Sequence, residues 1–219
     1  TAGAEVRYRS EALPILEGML RRDPSNTAWK RMYGIMMADL GFTELDDGAF
    51  QSGLAELEAA ISIQHELVER DPENTSWQVD LSRSYTRAGD GYIYLGDLDR
   101  GIASYGTALE LRNRLAEQMP KSVPYRRSLA WSQAKLGNAY ALKNELAKAT
   151  TAHDQALALR VALVNEAPKH TGFRNELAST EIALGKLTAT KNPKAGIELV
   201  RSGLARARLP VAADPINHE

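Results

Sequence analysis

The segment RDPSNTAWKR begins at Arg22 and RDPENTSWQV begins at Arg70, forty-eight residues later. The interval recurs in QMPKSVPYRR from Gln118 and EAPKHTGFRN from Glu166, so Pro24, Pro72, Pro120 and Pro168 each stand five places before an aromatic residue. A fixed period in the range of about 20–50 residues commits a chain to an array of like structural units, because each unit buries its apolar face against the next.

Set out in rows of forty-eight, the sequence fills several columns consistently. Trp29, Trp77, Tyr125 and Phe173 form one column, and Tyr33, Leu81, Leu129 and Leu177 lie four residues further on. That is the spacing of one helix face and predicts core positions. Gly41, Gly89, Gly137 and Gly185 form the next column. Glycine in a helix interior costs about 0.5–1 kcal/mol relative to alanine, so its return in every row marks either a helix end or a close approach by a second helix. Close approach is favoured, because helix-compatible apolar residues follow each glycine, as in DGYIYL and NAYALK. The helix is expected to stop at Gly48, Gly96, Asn144 and Asn192, the residue types that most readily close a helix in the left-handed conformation. A second helix follows, with Ala60, Ala108 and Ala156 in one column and Leu13, Ile61, Leu109 and Leu157 in the next.

Each row therefore predicts a hairpin of two helices, A and B, of about 20 residues each. Hairpins are placed at about 25–70, 73–118, 121–166 and 169–209. Residues 1–22 align with a helix B lacking its helix A, as in a fragment of a longer chain, and 210–219 read as a C-terminal tail. The layout predicts seven or eight antiparallel helices and no strand. It also leaves an apolar strip at Leu13, Leu16 and Leu20 uncovered, a surface that would promote self-association through the N-terminal edge.

The stretch LGNAYALKNELAKATTAHDQAL from Leu136 resembles the tetratricopeptide repeat (TPR), with Gly137, Tyr140, Ala149 and Ala156 on the family pattern and His153 where an aromatic belongs. The second row fits more fully, with Gly89, Tyr92, Gly101, Tyr105 and Ala108, whereas Glu44 and Thr188 depart at the first aromatic position. The family repeat is 34 residues long; two extra turns on each helix would give forty-eight and keep every face in register. Such elongated repeats resemble arrays attached to multidomain bacterial signalling proteins. The resemblance implies an all-α, right-handed superhelical solenoid of antiparallel hairpins over residues 1–209, with a concave groove lined by the A helices.

Composition narrows the function. Twenty-seven basic residues balance 28 acidic ones, which gives no net field to draw nucleic acid or an anionic membrane. The absence of cysteine removes disulfides, thiolate metal sites and thiol catalysis, and fits a reducing cytoplasm. No apolar run approaches the roughly 20 residues of a membrane-spanning helix. His65, His153, His170 and His218 share no helical metal-pair spacing. GKLT from Gly185 lacks the hydroxyl residue directly after its lysine, and GDGYIYLG from Gly89 lacks the preceding strand of a dinucleotide site. ELDDG from Glu44 lacks the alternating ligands of a calcium loop, and Asn74 of NTS is better placed to cap helix A. No catalytic residue, metal site or cofactor is predicted.

What is left is a surface. The groove positions of the family fall on Ile35, Arg83, Trp131 and Ser179; on Asp39, Arg87, Lys135 and Ala183; and on Phe42, Asp90, Asn138 and Lys186. These columns vary while the packing columns do not. The family's carboxylate-gripping pattern is matched only by Asn138, with Ala134 in place of its lysine. The expected site is a peptide-binding groove of Arg83, Arg87, Asp90, Tyr94, Trp131, Lys135, Asn138 and Lys186, suited to an acidic peptide with an apolar or aromatic anchor. The predicted function is non-enzymatic protein–protein interaction in the cytoplasm, with a peptide or partner helix in the groove. The alternative is a regulatory or sensor domain that binds a small ligand and controls a catalytic domain outside this stretch.

Overall fold

The computed structural model describes residues 11–208. Among the described residues it contains nine helices and no strand: α1 (Leu13–Arg22), α2 (Thr27–Asp46), α3 (Phe50–Arg70), α4 (Thr75–Tyr94), α5 (Leu98–Gln118), α6 (Val123–Leu142), α7 (Leu146–Glu166), α8 (Thr171–Ala189) and α9 (Pro193–Ala207). The count exceeds the seven or eight expected, because α1 is a regular helix in addition to four complete hairpins. The A helices begin at Thr27, Thr75, Val123 and Thr171, a constant step of forty-eight residues. Residues 1–10 of the orphan helix B and the tail at 210–219 lie outside the described residues.

The chain forms two compact units, Thr1–Leu115 and Ala116–Glu219, with the boundary in the last turn of α5. Within the first, α1 packs on α2, α2 pairs with α3, and α3 packs on α4. Within the second, α6 pairs with α7, α7 packs on α8, and α8 pairs with α9.

Local chemistry sets the helix ends. Asn26 and Asn74 accept hydrogen bonds from the Trp29 and Trp77 amides at 3.2 Å, and the His170 Nδ1 accepts from the Phe173 amide at 3.3 Å. Each satisfies an amide that the first helical turn leaves unpaired. Gly48, Gly96 and Asn144 take positive φ of 85°, 81° and 62°. Around them the Ala49, Asp97 and Glu145 amides reach back five residues to the Glu44, Tyr92 and Tyr140 carbonyls at 2.8–2.9 Å, which is the Schellman closure. Asn192 departs from this expectation. Its φ is −137°, and its side chain caps α9 by accepting from the Ala195 amide. The reason is Pro193, which drives the preceding residue into extended conformations.

The glycine column is a line of close contacts and not of helix ends. A Cβ on Gly41 would lie 2.6 Å from the Gly53 carbonyl oxygen, one on Gly89 2.6 Å from the Tyr105 ring, one on Gly137 2.7 Å from the His153 ring, and one on Gly185 2.7 Å from Val200. In the first unit Ala38, Leu45, Leu54, Leu57, Ala60, Ala88 and Tyr92 form a continuous core. The aromatic column is less buried than its spacing suggests: Phe173 is buried, but Trp29, Trp77 and Tyr125, in the same first turn of their A helices, are half-buried. The N-terminal strip also departs from expectation. Leu13 and Leu16 are buried and Leu20 half-buried, since α1 packs on the A helix of the following row. Tyr33 of α2 donates to Glu17 of α1 at 3.0 Å across that contact.

Candidate binding cleft

The eight expected groove residues divide between the two units. Arg83, Arg87, Asp90 and Tyr94 follow one another at spacings of four, three and four on α4, which places them on one stripe. Two of them are engaged internally. Arg87 donates from Nη1 to Asp39 Oδ1 at 2.7 Å, and its guanidinium lies 4.6 Å from the Phe42 ring centroid. Asp90 accepts the hydroxyl hydrogen of Tyr105. Burial, with the charge of Asp90 next, pushes the Tyr105 phenol up from its ordinary value. Tyr94 stacks on Phe50 with centroids 5.3 Å apart, yet stays 75% exposed. Arg83 is exposed. Its charge adds to burial in lowering the Arg112 guanidinium to about 10.

In the second unit the other four residues come together. Trp131, Lys135 and Asn138 of α6 and Lys186 of α8 line two adjoining hollows of about 130 Å³ and 290 Å³, which share Asn138, His153, Ser179 and Ala183. Lys135 Nζ sits 4.9 Å from the Trp131 ring centroid, a cation–π contact that holds both side chains at the rim. Asn138 and Lys186 are exposed.

The cleft is also walled by α7, through His153 and Arg160, neither of which is among the eight expected groove residues. His153 is buried, and its Nδ1 has no hydrogen-bond partner among the described residues. Desolvation by burial, with the charge of Arg160 second, lowers its pKa, so the imidazole is neutral at pH 7. Arg160, also buried, donates from Nη1 to the Glu176 carbonyl oxygen at 2.6 Å and to the Thr180 hydroxyl. Its Nε has no partner among the described residues. Burial lowers the guanidinium's pKa and the nearby Glu176 charge opposes the shift. Among the described residues no aspartate or glutamate lines either hollow.

Both missed residues had a signal in the sequence. His153 stands where the row above has Tyr105, and Arg160 stands in a polar column with Gln64 and Arg112 on otherwise apolar helix faces. The exchange at the first position opens the cleft. The Tyr105 phenol spans to Asp90, whereas the shorter imidazole, with no hydroxyl, leaves Asn138 uncovered in the equivalent place. Among the described residues no group of three His, Asp or Glu could hold a metal ion, and no helix is long and apolar enough to cross a membrane.

No family model matches the chain, and no curated protein matches it either. Solved structures do. The chain is similar to BtubC (BKLC) from P. vanneervenii, with 18% identity, 93% of this chain and 76% of that chain covered, and a TM-score of 0.66. It is similar to the apo form of RapI, with 14% identity, coverage of 94% and 68%, and a TM-score of 0.65. A putative kinesin light chain from Podospora anserina with nearly identical TPR-like repeats matches at 18% identity, 94% of each chain and a TM-score of 0.55. At these identities the likeness speaks for the fold alone. The chain has a TPR-like solenoid fold, all-α and built of antiparallel helical hairpins.

Proposed function

We propose that this chain is a non-enzymatic protein–protein interaction module, cytoplasmic and part of a signalling assembly, that docks an acidic peptide or partner helix. The observation that supports this best is the cleft of the second unit, whose two adjoining hollows gather Lys135, Lys186, Arg160, Trp131 and Asn138 with no carboxylate among the described lining residues. A segment carrying Asp or Glu next to an apolar residue matches that wall: lysines steer and hold the carboxylates, and the indole receives the anchor. The fold supports the reading in general terms, since stacked hairpins present one face of successive helices as a continuous docking surface. Arg83 adds an exposed cation on the first unit. Arg87, held by Asp39, is a weaker contributor than its position in the sequence suggests.

The test is a peptide array graded in charge and in apolar content, probed with the purified protein at rising salt. Signal should follow Asp and Glu content combined with an aromatic or branched residue, and should fade as ionic strength rises. Retention independent of peptide charge would overturn the reading.

A further inference from the structure

We infer that the exposed face of α9 is a docking surface of its own, apart from the cleft, and that its occupant is an acidic amphipathic helix supplied by a partner protein. The close contacts within the hairpins fix the register between rows. A Cβ on Gly41 would meet the Gly53 carbonyl oxygen and Leu57, and one on Gly185 would meet the Gly196 carbonyl oxygen and Val200, so Ile197 and Leu204 of α9 stand where α3 has Leu54 and Ile61. In α3 this face receives the next A helix. Leu54 is 6% exposed and lies 2.9 Å from a Cβ placed on Gly91, and Glu58, the equivalent of Arg201, accepts the hydroxyl hydrogen of Tyr92. In α9 the same positions are open among the described residues: Ile197 is 49% and Leu204 43% exposed. The charges select the occupant. Lys194, Arg201 and Arg208 recur every seven residues beside Ile197 and Leu204, which are also seven apart, and all three cations are exposed. That is the spacing of a coiled-coil seam, an apolar line with a charged line alongside. None of the three cationic side chains has an ion-pair partner among the described residues, whereas Arg206 is taken by Glu181. Glu198 is the only acid in α9. A second copy of α9 would set cation against cation, so the face is not self-complementary. A helix with apolar residues at spacings of three and four and Asp or Glu along one flank complements both lines.

The experiment titrates the full chain into a fluorescein-labelled, lactam-bridged helical peptide with leucines at spacings of three and four and glutamates along one flank, read by anisotropy. Two control peptides replace the glutamates by lysine or the leucines by serine. Saturable binding is expected for the glutamate peptide alone. Arg201→Gln combined with Arg208→Gln, and separately Ile197→Ser combined with Leu204→Ser, should each weaken it by about tenfold or more. All four side chains are exposed, so the helical content should match the wild type. Lys135→Glu combined with Lys186→Glu should leave the binding unchanged, because those lysines belong to the cleft. Equal binding of the glutamate and lysine peptides, or unaltered binding in the double glutamine variant, would overturn the inference. Loss of binding in the cleft variant alone would also overturn it, seating the peptide in the cleft and leaving the docking reading standing. Binding lost only through α9 would uphold it, whatever becomes of the cleft. A several-fold gain in affinity from Val211→Ser combined with Ile216→Ser would give the face to the chain's own tail, and sedimentation showing α9-dependent dimers would give it to a second copy. Either result removes the partner helix.

Discussion

Gly41 and Gly53 face each other across the first hairpin so closely that a Cβ on either would lie 2.6 Å from the other's carbonyl oxygen. Neither obstacle is a movable side chain, so any residue larger than glycine must push α2 and α3 apart. Gly41→Ala is expected to lower stability by about 1–3 kcal/mol, the usual range for overpacking a fixed contact. Gly137→Val should do at least as much, with the His153 ring 2.7 Å from the added Cβ. Gly106 of α5, which has open space around its Cβ position, gives the control: Gly106→Ala should stabilise by about 0.5–1 kcal/mol. Chemical denaturation of the three variants measures all of this; a destabilised Gly106→Ala, or an unaffected Gly41→Ala, would contradict it.

The pH dependence of stability follows from His153, whose folded pKa lies below the ordinary 6.5 because burial and Arg160 disfavour the imidazolium. The unfolded chain then takes up a proton at higher pH than the folded one. The contribution is fully present above about pH 6.5 and is lost as pH falls from there through the folded-state value. Denaturation midpoints measured from pH 7.5 downward should show this loss in the wild type and a shallower one in His153→Tyr. Identical slopes would mean that the imidazole titrates as if in water.

Glu181 of α8 is 8% exposed and receives Arg206 of α9 through Nε at 3.1 Å and Nη2 at 2.9 Å. Arg206→Ala leaves that carboxylate buried without its cation, at a cost of about 1–3 kcal/mol. Arg206→Lys should recover only part of the loss, because an ammonium cannot form the two-pronged contact. A thermal midpoint unchanged in Arg206→Ala would show that the pair is only a surface contact.

The architecture was legible from the repeat because the forty-eight-residue period, the left-handed closures at Gly48, Gly96 and Asn144 and the glycine contacts are local consequences of residue type. What escaped was set by neighbours. The column of Asn192 predicts a left-handed closure, but Pro193 beside it decides its backbone. The row layout leaves Leu13 and Leu16 without a partner, whereas both are buried and their helix packs on the next row's A helix. The cleft was half visible. Trp131, Lys135, Asn138 and Lys186 line it, yet its inner wall depends on a substitution, His153 for tyrosine, whose effect is the volume it leaves empty. Arg87 shows the converse, a cation that looks available in sequence until Asp39 is found 2.7 Å away.

The central claim, that an acidic segment docks in the second-unit cleft, is tested most directly by one binding isotherm pair. An acidic peptide selected on the wild-type protein is titrated against the wild type and against Lys135→Glu combined with Lys186→Glu. Both lysines sit at the rim and not in the helix contacts, so the helical content should match. The account predicts a loss of affinity of about a hundredfold or more from the two reversals. Equal affinity in the two proteins would contradict it.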